Sequence, residues 1–204
     1  MKKILFATDF SPAADNAFVY AVELAKHIGA QLTTIHAYQL PDVSAIHLPN
    51  TLKRVYNDLQ VEEFKSYQDS IPQLRKLETQ HGLAEGTVNH VLREGETVDV
   101  VVGHAEQEGY DYLVIGTKGE TGLKEIFLGN VAEGIVTTSR TPVLAVPGTA
   151  VFDGSIDKIG FSTEFGAGEK AALNMVLEFA RQFNAEVHVL HVDISNTRDL
   201  HDEM

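Results

Sequence analysis

The chain has 204 residues, 44% of them hydrophobic and 22% charged, a composition typical of a globular protein. Its 29 acidic and 16 basic side chains give a formal net charge of −13, which argues against nucleic acid as a partner because phosphate binding needs a positive surface. The lack of cysteine excludes disulfides, thiolate metal sites and cysteine nucleophiles. No apolar run approaches the ~20 residues of a membrane span. We therefore expect a soluble cytoplasmic protein with no membrane partner.

Strand-like and helix-like segments alternate along the chain. Ser11 and Pro12 predict the start of the first helix, since Ser caps helices and Pro fits their first turn, and Gly29 predicts its end. Pro72 predicts a break in the second helix. The predicted strands are 2–8, 32–37, 87–92, 112–115 and 142–146, and the later helices are 52–80, 96–107 and 130–138. This alternation indicates a parallel sheet with helices on both faces.

The second predicted helix carries apolar residues at helical spacing. Val55, Leu59, Phe64 and Tyr67 recur at intervals of three to five residues. This pattern predicts that they form a buried stripe rather than a membrane-binding face.

An internal repeat relates the start of the chain to its end. Residues 3–37 align without a gap with residues 158–192, and ten of the positions are identical, His36 and His191 among them. A repeat at this long spacing indicates duplicated domains rather than a solenoid. We therefore predict a first domain at 1–148 and, after a Pro- and Gly-containing linker, a partial β-α-β second copy with a polar tail at 156–204.

A glycine-rich segment follows the fourth predicted strand. Gly116 is followed by two residues and Gly119, then by nine residues and Gly129, with Asn130 opening the next helix. Glycines let backbone N–H groups approach a phosphate closely, and a helix N-terminus favours anions. Lys118 adds positive charge, as does Lys124. The spacing matches neither a P-loop nor the dinucleotide-binding fingerprint, so it indicates a different kind of anion site.

These residues resemble the nucleotide-binding branch of the universal stress protein family. That branch shows the same glycine spacing after its fourth strand, followed by Ser or Thr where this chain has Asn130. Residues 3–11 resemble the family's first strand and turn, and residues 141–146 its last strand. The resemblance implies an open, flavodoxin- or Rossmann-like parallel sheet of five strands in the order 3-2-1-4-5. It also implies ATP, with or without Mg²⁺, bound between the ends of the first and fourth strands.

The resemblance also implies which residues contact the nucleotide. Asp9 would contact the nucleoside, the backbone of Ala37 the adenine, and Asn130 the β- and γ-phosphates. Asn130 can donate to a phosphate but is a poorer Mg²⁺ ligand than a hydroxyl. The complete set of predicted ligand-binding residues is Thr8, Asp9, Ala37, Gly116, Thr117, Lys118, Gly119, Gly129, Asn130 and Val131. No catalytic or metal-ligating residue is predicted.

Several of these residues also have simpler interpretations. Asp9 could cap the turn before the first helix, and the glycines could serve as ordinary turn residues. Lys118 and Lys124 could be solvated surface charges. His36 and His191 fit packed, hydrogen-bonded histidines better than metal ligands, because no ligand spacing surrounds them.

The predicted function is a sensing or regulatory role in the stress response through a bound adenine nucleotide. One alternative is a protein-interaction module of the same fold without nucleotide. The other is a slow ATPase or self-phosphorylating enzyme, with Thr121 as a conceivable acceptor. The family resemblance further predicts a homodimer through the edge strand 142–146, because the partial second copy contains no counterpart of that strand.

Overall fold

The computed structural model describes residues 1–41, 49–84, 86–117 and 128–192. It divides into two compact units, unit 1 at Met1–Phe152 and unit 2 at Asp153–Met204. In chain order, unit 1 contains β1 (Lys3–Ala7), α1 (Pro12–Ile28), β2 (Gln31–Tyr38), α2 (Pro49–Gln80), β3 (Asn89–Glu94), α3 (Thr97–Gln107), β4 (Tyr112–Thr117), α4 (Asn130–Thr138) and β5 (Val143–Pro147). Unit 2 contains β6 (Lys158–Ser162), α5 (Glu169–Phe183) and β7 (Glu186–Leu190).

Unit 1 is built on one parallel sheet with the strand order β3-β2-β1-β4-β5, which confirms the predicted order. Leu5 of β1 belongs to a buried cluster with Val101 of α3 and Ile135 of α4. Its neighbour Phe6 packs instead on Phe18 of α1, with ring centroids 5.1 Å apart. Because successive strand residues point to opposite faces, α1 covers one face of the sheet, and α3 and α4 cover the other.

The first helix begins and ends where its boundary residues predict. The Ser11 side chain accepts a hydrogen bond from the Ala14 N–H, and Pro12 occupies the first turn. At the other end Gly29 adopts a left-handed conformation, with φ of 63°, which glycine tolerates without strain.

The second helix is continuous through Pro72, so the predicted break is wrong. Proline removes one N–H donor, but Pro72 lies on the exposed side, where water can satisfy the orphaned carbonyl. On either side of it, Ile71 and Leu74 are buried and hold the helix against the rest of unit 1. Packing therefore outweighs the local preference to break.

The predicted buried stripe of α2 is also partly wrong. Tyr67 is buried, but Val55 and Phe64 are 41% and 51% exposed. The stripe that packs runs further along the helix, through Tyr67, Ile71 and Leu74. Among the described helices, α2 included, none combines the length and apolarity that a bilayer crossing requires.

A buried polar contact joins α2 to the sheet. Glu78 of α2 is fully buried, and its Oε1 lies 3.5 Å from Nε2 of His90 in β3. The other ring nitrogen of His90, Nδ1, lies 2.8 Å from the Thr34 hydroxyl in β2. Burial lowers the pKa of His90 below its ordinary value of 6.5, and the charge of Arg75 lowers it further.

We expect this histidine to make the stability of the protein pH-dependent. Because the pKa of His90 is lower in the folded chain, the unfolded chain binds more protons, and the free energy of unfolding falls as pH falls through 6.5. Urea unfolding at about pH 7.5 and about pH 5.5 should show a smaller difference for His90→Gln than for the native chain. The exposed His188→Gln is the control and should keep the native difference. Equal pH dependence in native and His90→Gln chains would contradict the prediction.

The described part of unit 2, up to residue 192, is a two-stranded parallel sheet packed on one helix. Its two strands pair in the same register as β1 and β2. Lys158 pairs with Glu186, and the equivalent residues of unit 1, Lys3 and Gln31, pair in the same way. Asn184 ends α5 in the left-handed conformation that Gly29 adopts after α1. The two units therefore share local geometry as well as sequence.

Candidate functional site

The candidate site lies where the carboxyl ends of β1 and β4 meet the N-terminus of α4. These two strands are neighbours, and the chain leaves them toward opposite edges of the sheet, which makes this the topological switch point of the fold. A cleft of about 380 Å³ opens there. The described residues that line it are Asp9, Gly116, Gly129, Asn130, Val131 and Ala132.

The Asp9 side chain is held by the turn that follows β1. Its Oδ1 accepts a hydrogen bond from the Ser11 N–H at 3.0 Å, which forms an Asx turn ahead of α1. The intervening Phe10 has a φ of 57°, in the left-handed region. Asp9 itself is exposed and lines the cleft. It therefore has the turn-capping role that its sequence context allows and also presents a carboxylate to the cleft.

Gly116 has a packing reason to be glycine that does not involve a ligand. A Cβ atom built at this position would lie 2.9 Å from the Ala13 carbonyl oxygen and 3.2 Å from the Ala14 nitrogen. Both atoms are backbone of the first turn of α1 and cannot move aside cheaply. The glycine thus lets β4 and α1 approach closely at the floor of the cleft.

The N-terminus of α4 provides partial positive charge at one end of the cleft. Gly129 is its N-cap and, having no side chain, makes no side-chain capping bond. Its φ of −65° is one that any residue adopts. The first-turn N–H groups of Asn130 and Val131, together with the helix dipole, favour an anion at this end of the cleft.

Of the predicted ligand-binding residues that the structure describes, three do not line the cleft. Thr8 is buried, and its hydroxyl accepts a hydrogen bond from the Phe10 N–H at 3.0 Å. Thr117 is buried in β4 and lines a smaller adjoining cavity of about 80 Å³. Ala37 lies within β2, paired with Arg93 of β3. The predicted Lys118 and Gly119, with Thr121 and Lys124, lie outside the described residues.

An aromatic cluster that the sequence did not predict lies beside the Asp9 turn. The ring of Phe10 lies 5.0 Å from that of His36 and 5.9 Å from that of Tyr67. His36 donates from Nδ1 to the Thr8 carbonyl at 2.7 Å, because a carbonyl can only accept. Burial raises the pKa of Tyr67 to about 12. The recurrence of Phe and His in the repeat was the signal that could have revealed the cluster.

The described residues also bear on metal binding. Within the described ranges, no group of three or more His, Asp or Glu side chains comes close enough to hold a metal ion. In the cleft, Asp9 is the one ionisable side chain among the described lining residues.

The fold and the cleft define an open, doubly wound α/β domain with its candidate site at the switch point. The model of the universal stress protein family matches residues 1–147, so the chain belongs to that family. The chain is 28% identical to universal stress protein MJ0531 of Methanocaldococcus jannaschii over 145 residues. This match covers 71% of this chain and 81% of that protein.

Solved structures agree with this assignment. The structure of MJ0577, a universal stress protein of the same archaeon, matches with 27% identity and a TM-score of 0.54 over 72% of this chain and 95% of that one. A universal stress protein from Archaeoglobus fulgidus matches with a TM-score of 0.69 over 96% of this chain and 68% of that one. At 18% identity the second match shows the fold alone.

Proposed function

We propose that unit 1 binds an adenine nucleotide, with ATP as the leading candidate, in the cleft between β1, β4 and α4. The observation that carries the proposal is the convergence of Asp9, Gly116 and the N-terminus of α4 on one cleft. Its volume of about 380 Å³ lies within the ~300–1,000 Å³ range of small-molecule sites. A carboxylate at one end and backbone N–H donors at the other suit a molecule with a ribose and a phosphate chain.

The proposed orientation follows from these two ends. Asp9 would accept from the ribose or adenine side, and Gly129, Asn130 and Val131 would bind the β- and γ-phosphates. The chain has a formal net charge of −13, but the partial positive charge at the N-terminus of α4 favours an anion locally.

A sensing or regulatory role fits the cleft better than rapid turnover. Nucleophilic or hydrolytic chemistry needs a base within hydrogen-bond reach of a nucleophile. Among the described lining residues the one candidate base is Asp9, and none of the others has a hydroxyl or thiol that it could activate. We propose that the bound nucleotide shifts the balance between conformations or partners, in the cytoplasm, and that any hydrolysis or self-phosphorylation is slow.

An interaction module without nucleotide is the second candidate function. It is favoured by one observation: Gly116 and Asp9 each have a role in the fold that needs no ligand. The same domain architecture is therefore compatible with both functions, and a nucleotide-binding experiment distinguishes them.

Calorimetric titration with ATP, with and without Mg²⁺, tests the proposal. The protein must first be shown to be free of copurified nucleotide. We expect micromolar or tighter binding of ATP. No heat and no thermal shift would overturn nucleotide binding and favour the interaction module.

We further propose that unit 2 is a partial second copy that binds no nucleotide by itself. The His191 Nδ1 lies 2.8 Å from the Thr163 carbonyl, as His36 lies against Thr8 in unit 1. Phe165 repeats the left-handed conformation of Phe10. Yet the described part of unit 2 contains no counterpart of β4 or α4, the elements that carry the glycines.

The edge strand β5 is the proposed dimer interface. It pairs with β4 on one side within unit 1, and Val143 and Leu144 are only half-buried. An uncovered edge strand is a template for pairing with another chain. Light scattering at micromolar concentration should therefore give the mass of a dimer, and a strict monomer would contradict this prediction.

A further inference from the structure

The turn that carries Asp9 contains a strained residue. Phe10 lies between Asp9 and Ser11, and its φ of 57° is in the left-handed region, which a bulky side chain rarely adopts. Such a conformation persists only where the surrounding structure holds it. Because the Ser11 N–H donates to Asp9 Oδ1 across Phe10, the conformation of Phe10 determines whether that hydrogen bond forms. The orientation of the Asp9 carboxylate in the cleft therefore depends on what holds Phe10.

Unit 2 holds the equivalent turn with a carboxylate. Phe165 is left-handed as well, with a φ of 60°, although it is 74% exposed. The Glu169 carboxylate accepts hydrogen bonds from the Thr163 hydroxyl and from the Glu164 N–H, the latter at 3.0 Å. These bonds fix the turn to the start of α5. The repeat offset pairs Glu169 with Ala14, so unit 1 has no carboxylate in that place.

In unit 1 the aromatic packing of α2 holds the turn instead. The Tyr67 ring lies edge-on to the Phe10 ring at 5.9 Å and nearly parallel to the His36 ring at 6.1 Å. The contact between the phenylalanine and histidine rings recurs in unit 2, so Tyr67 is the contact that unit 1 adds. Tyr67 is 8% exposed and cannot leave Phe10 unless α2 repacks.

We propose that Tyr67 is a positioning residue for Asp9. Its ring holds Phe10 in the left-handed conformation, and Phe10 in turn orients the Asp9 carboxylate toward the nucleotide. The inference rests on the proposed nucleotide binding, and it gives α2 a part in that binding although α2 contributes no residue to the described lining of the cleft. The ring acts without its hydroxyl, because Tyr67 Oη is buried and forms no hydrogen bond with the described residues.

Substitutions of Tyr67 separate the ring from the hydroxyl. Tyr67→Phe keeps the ring and removes only an unpaired hydroxyl, so this conservative variant should retain the native ATP affinity. Tyr67→Leu keeps a buried apolar side chain but lacks the ring that packs on Phe10, so it should weaken ATP binding at least about threefold. Calorimetric titration measures both affinities.

The matched control is Ile71→Ala, one turn further along the same buried stripe of α2. Ile71 is 9% exposed, so its truncation should lower the stability of the protein in urea unfolding. The side chain of Ile71 takes no part in the ring cluster, so the ATP affinity should not change. This control separates a loss of affinity from a general loosening of α2.

Combined substitutions test whether Tyr67 acts through Asp9. Asp9→Ala should weaken ATP binding about tenfold or more, the effect of one hydrogen bond to a charged group. In an Asp9→Ala chain, Tyr67→Leu should then cause no further loss. A role of Tyr67 in packing alone would give the same loss in both backgrounds.

The Ser11 amide reports on the turn without nucleotide, because its N–H donates to Asp9. Hydrogen exchange of this amide, followed by NMR, should be at least about threefold faster in Tyr67→Leu than in the native chain, since local opening sets the exchange rate. It should be unchanged in Tyr67→Phe. An unchanged rate in Tyr67→Leu would contradict the proposed hold on the turn.

Other outcomes would also overturn the positioning role. They are native ATP affinity in Tyr67→Leu, equal weakening by Ile71→Ala, or a loss that persists in the Asp9→Ala chain. Weaker binding by Tyr67→Phe would place the hydroxyl on the ligand and overturn it as well. In all these cases the native chain still binds ATP, so the nucleotide site stands. No ATP binding by the native chain would instead overturn the proposed function, on which the inference rests.

Discussion

Gly129→Glu is expected to abolish nucleotide binding while the fold is retained. The φ of −65° at Gly129 accepts a side chain without strain. Glu96 shows what a glutamate does at such a position: as N-cap of α3 its carboxylate accepts from the N–H groups of Val98 and Asp99. A carboxylate at 129 would occupy the first-turn donors of α4 in the same way and repel a phosphate.

The expected loss of ATP affinity is at least about 100-fold, since opposed like charges cost several kcal/mol and each ~1.4 kcal/mol is tenfold. Calorimetry measures the affinity, and thermal unfolding should show unchanged or slightly raised stability. The matched control is Gly168→Glu, the same change at the N-cap of α5, where a new Cβ meets open space. Equal ATP affinity in both variants would place the nucleotide away from α4.

Gly116→Ala is expected to lower the stability of unit 1. Its new Cβ would come within 3.2 Å of three backbone atoms of Ala13 and Ala14, so β4 and α1 must separate. Overpacking of this kind costs about 1–3 kcal/mol of unfolding free energy. Urea unfolding followed by circular dichroism measures the change.

The matched control for this change is Gly103→Ala in α3. There the new Cβ has the Gln107 side chain as its nearest neighbour, at 3.9 Å, and alanine favours the helix by up to about 1 kcal/mol. We therefore expect the two Gly→Ala changes to have opposite signs. If both stabilise the protein equally, the close approach of β4 and α1 is not a constraint on the fold.

Local signals in the sequence were enough to predict most of the fold. The helix α4 begins and ends at the predicted residues, because cap and turn residues are read within a few positions of the boundary. Errors arose where burial depends on distant parts of the chain. Continuity through Pro72 and exposure of Phe64 follow from which face of α2 meets the sheet, and no local pattern determines that face.

The candidate site was predictable to a similar extent. The rule that ligands bind at the carboxyl ends of strands predicts the neighbourhood of Asp9, Gly116 and Gly129, which do line one cleft. It does not predict which way each side chain turns, so Thr8 was grouped with the cleft although its hydroxyl serves the adjacent turn. The contact of Glu78 with His90 joins two different elements, and no spacing pattern in the sequence indicates it.

The contact between a histidine and the end of the preceding strand has a consequence for reading related sequences. It occurs in unit 1 between His36 and Thr8 and in unit 2 between His191 and Thr163. Unit 2 keeps this contact although its described part contains no counterpart of β4 or α4. The Thr-x-Phe segment after the first strand and the His of the second strand are therefore a signature of the β-α-β scaffold. A motif search based on these residues would find such scaffolds whether or not they bind a ligand.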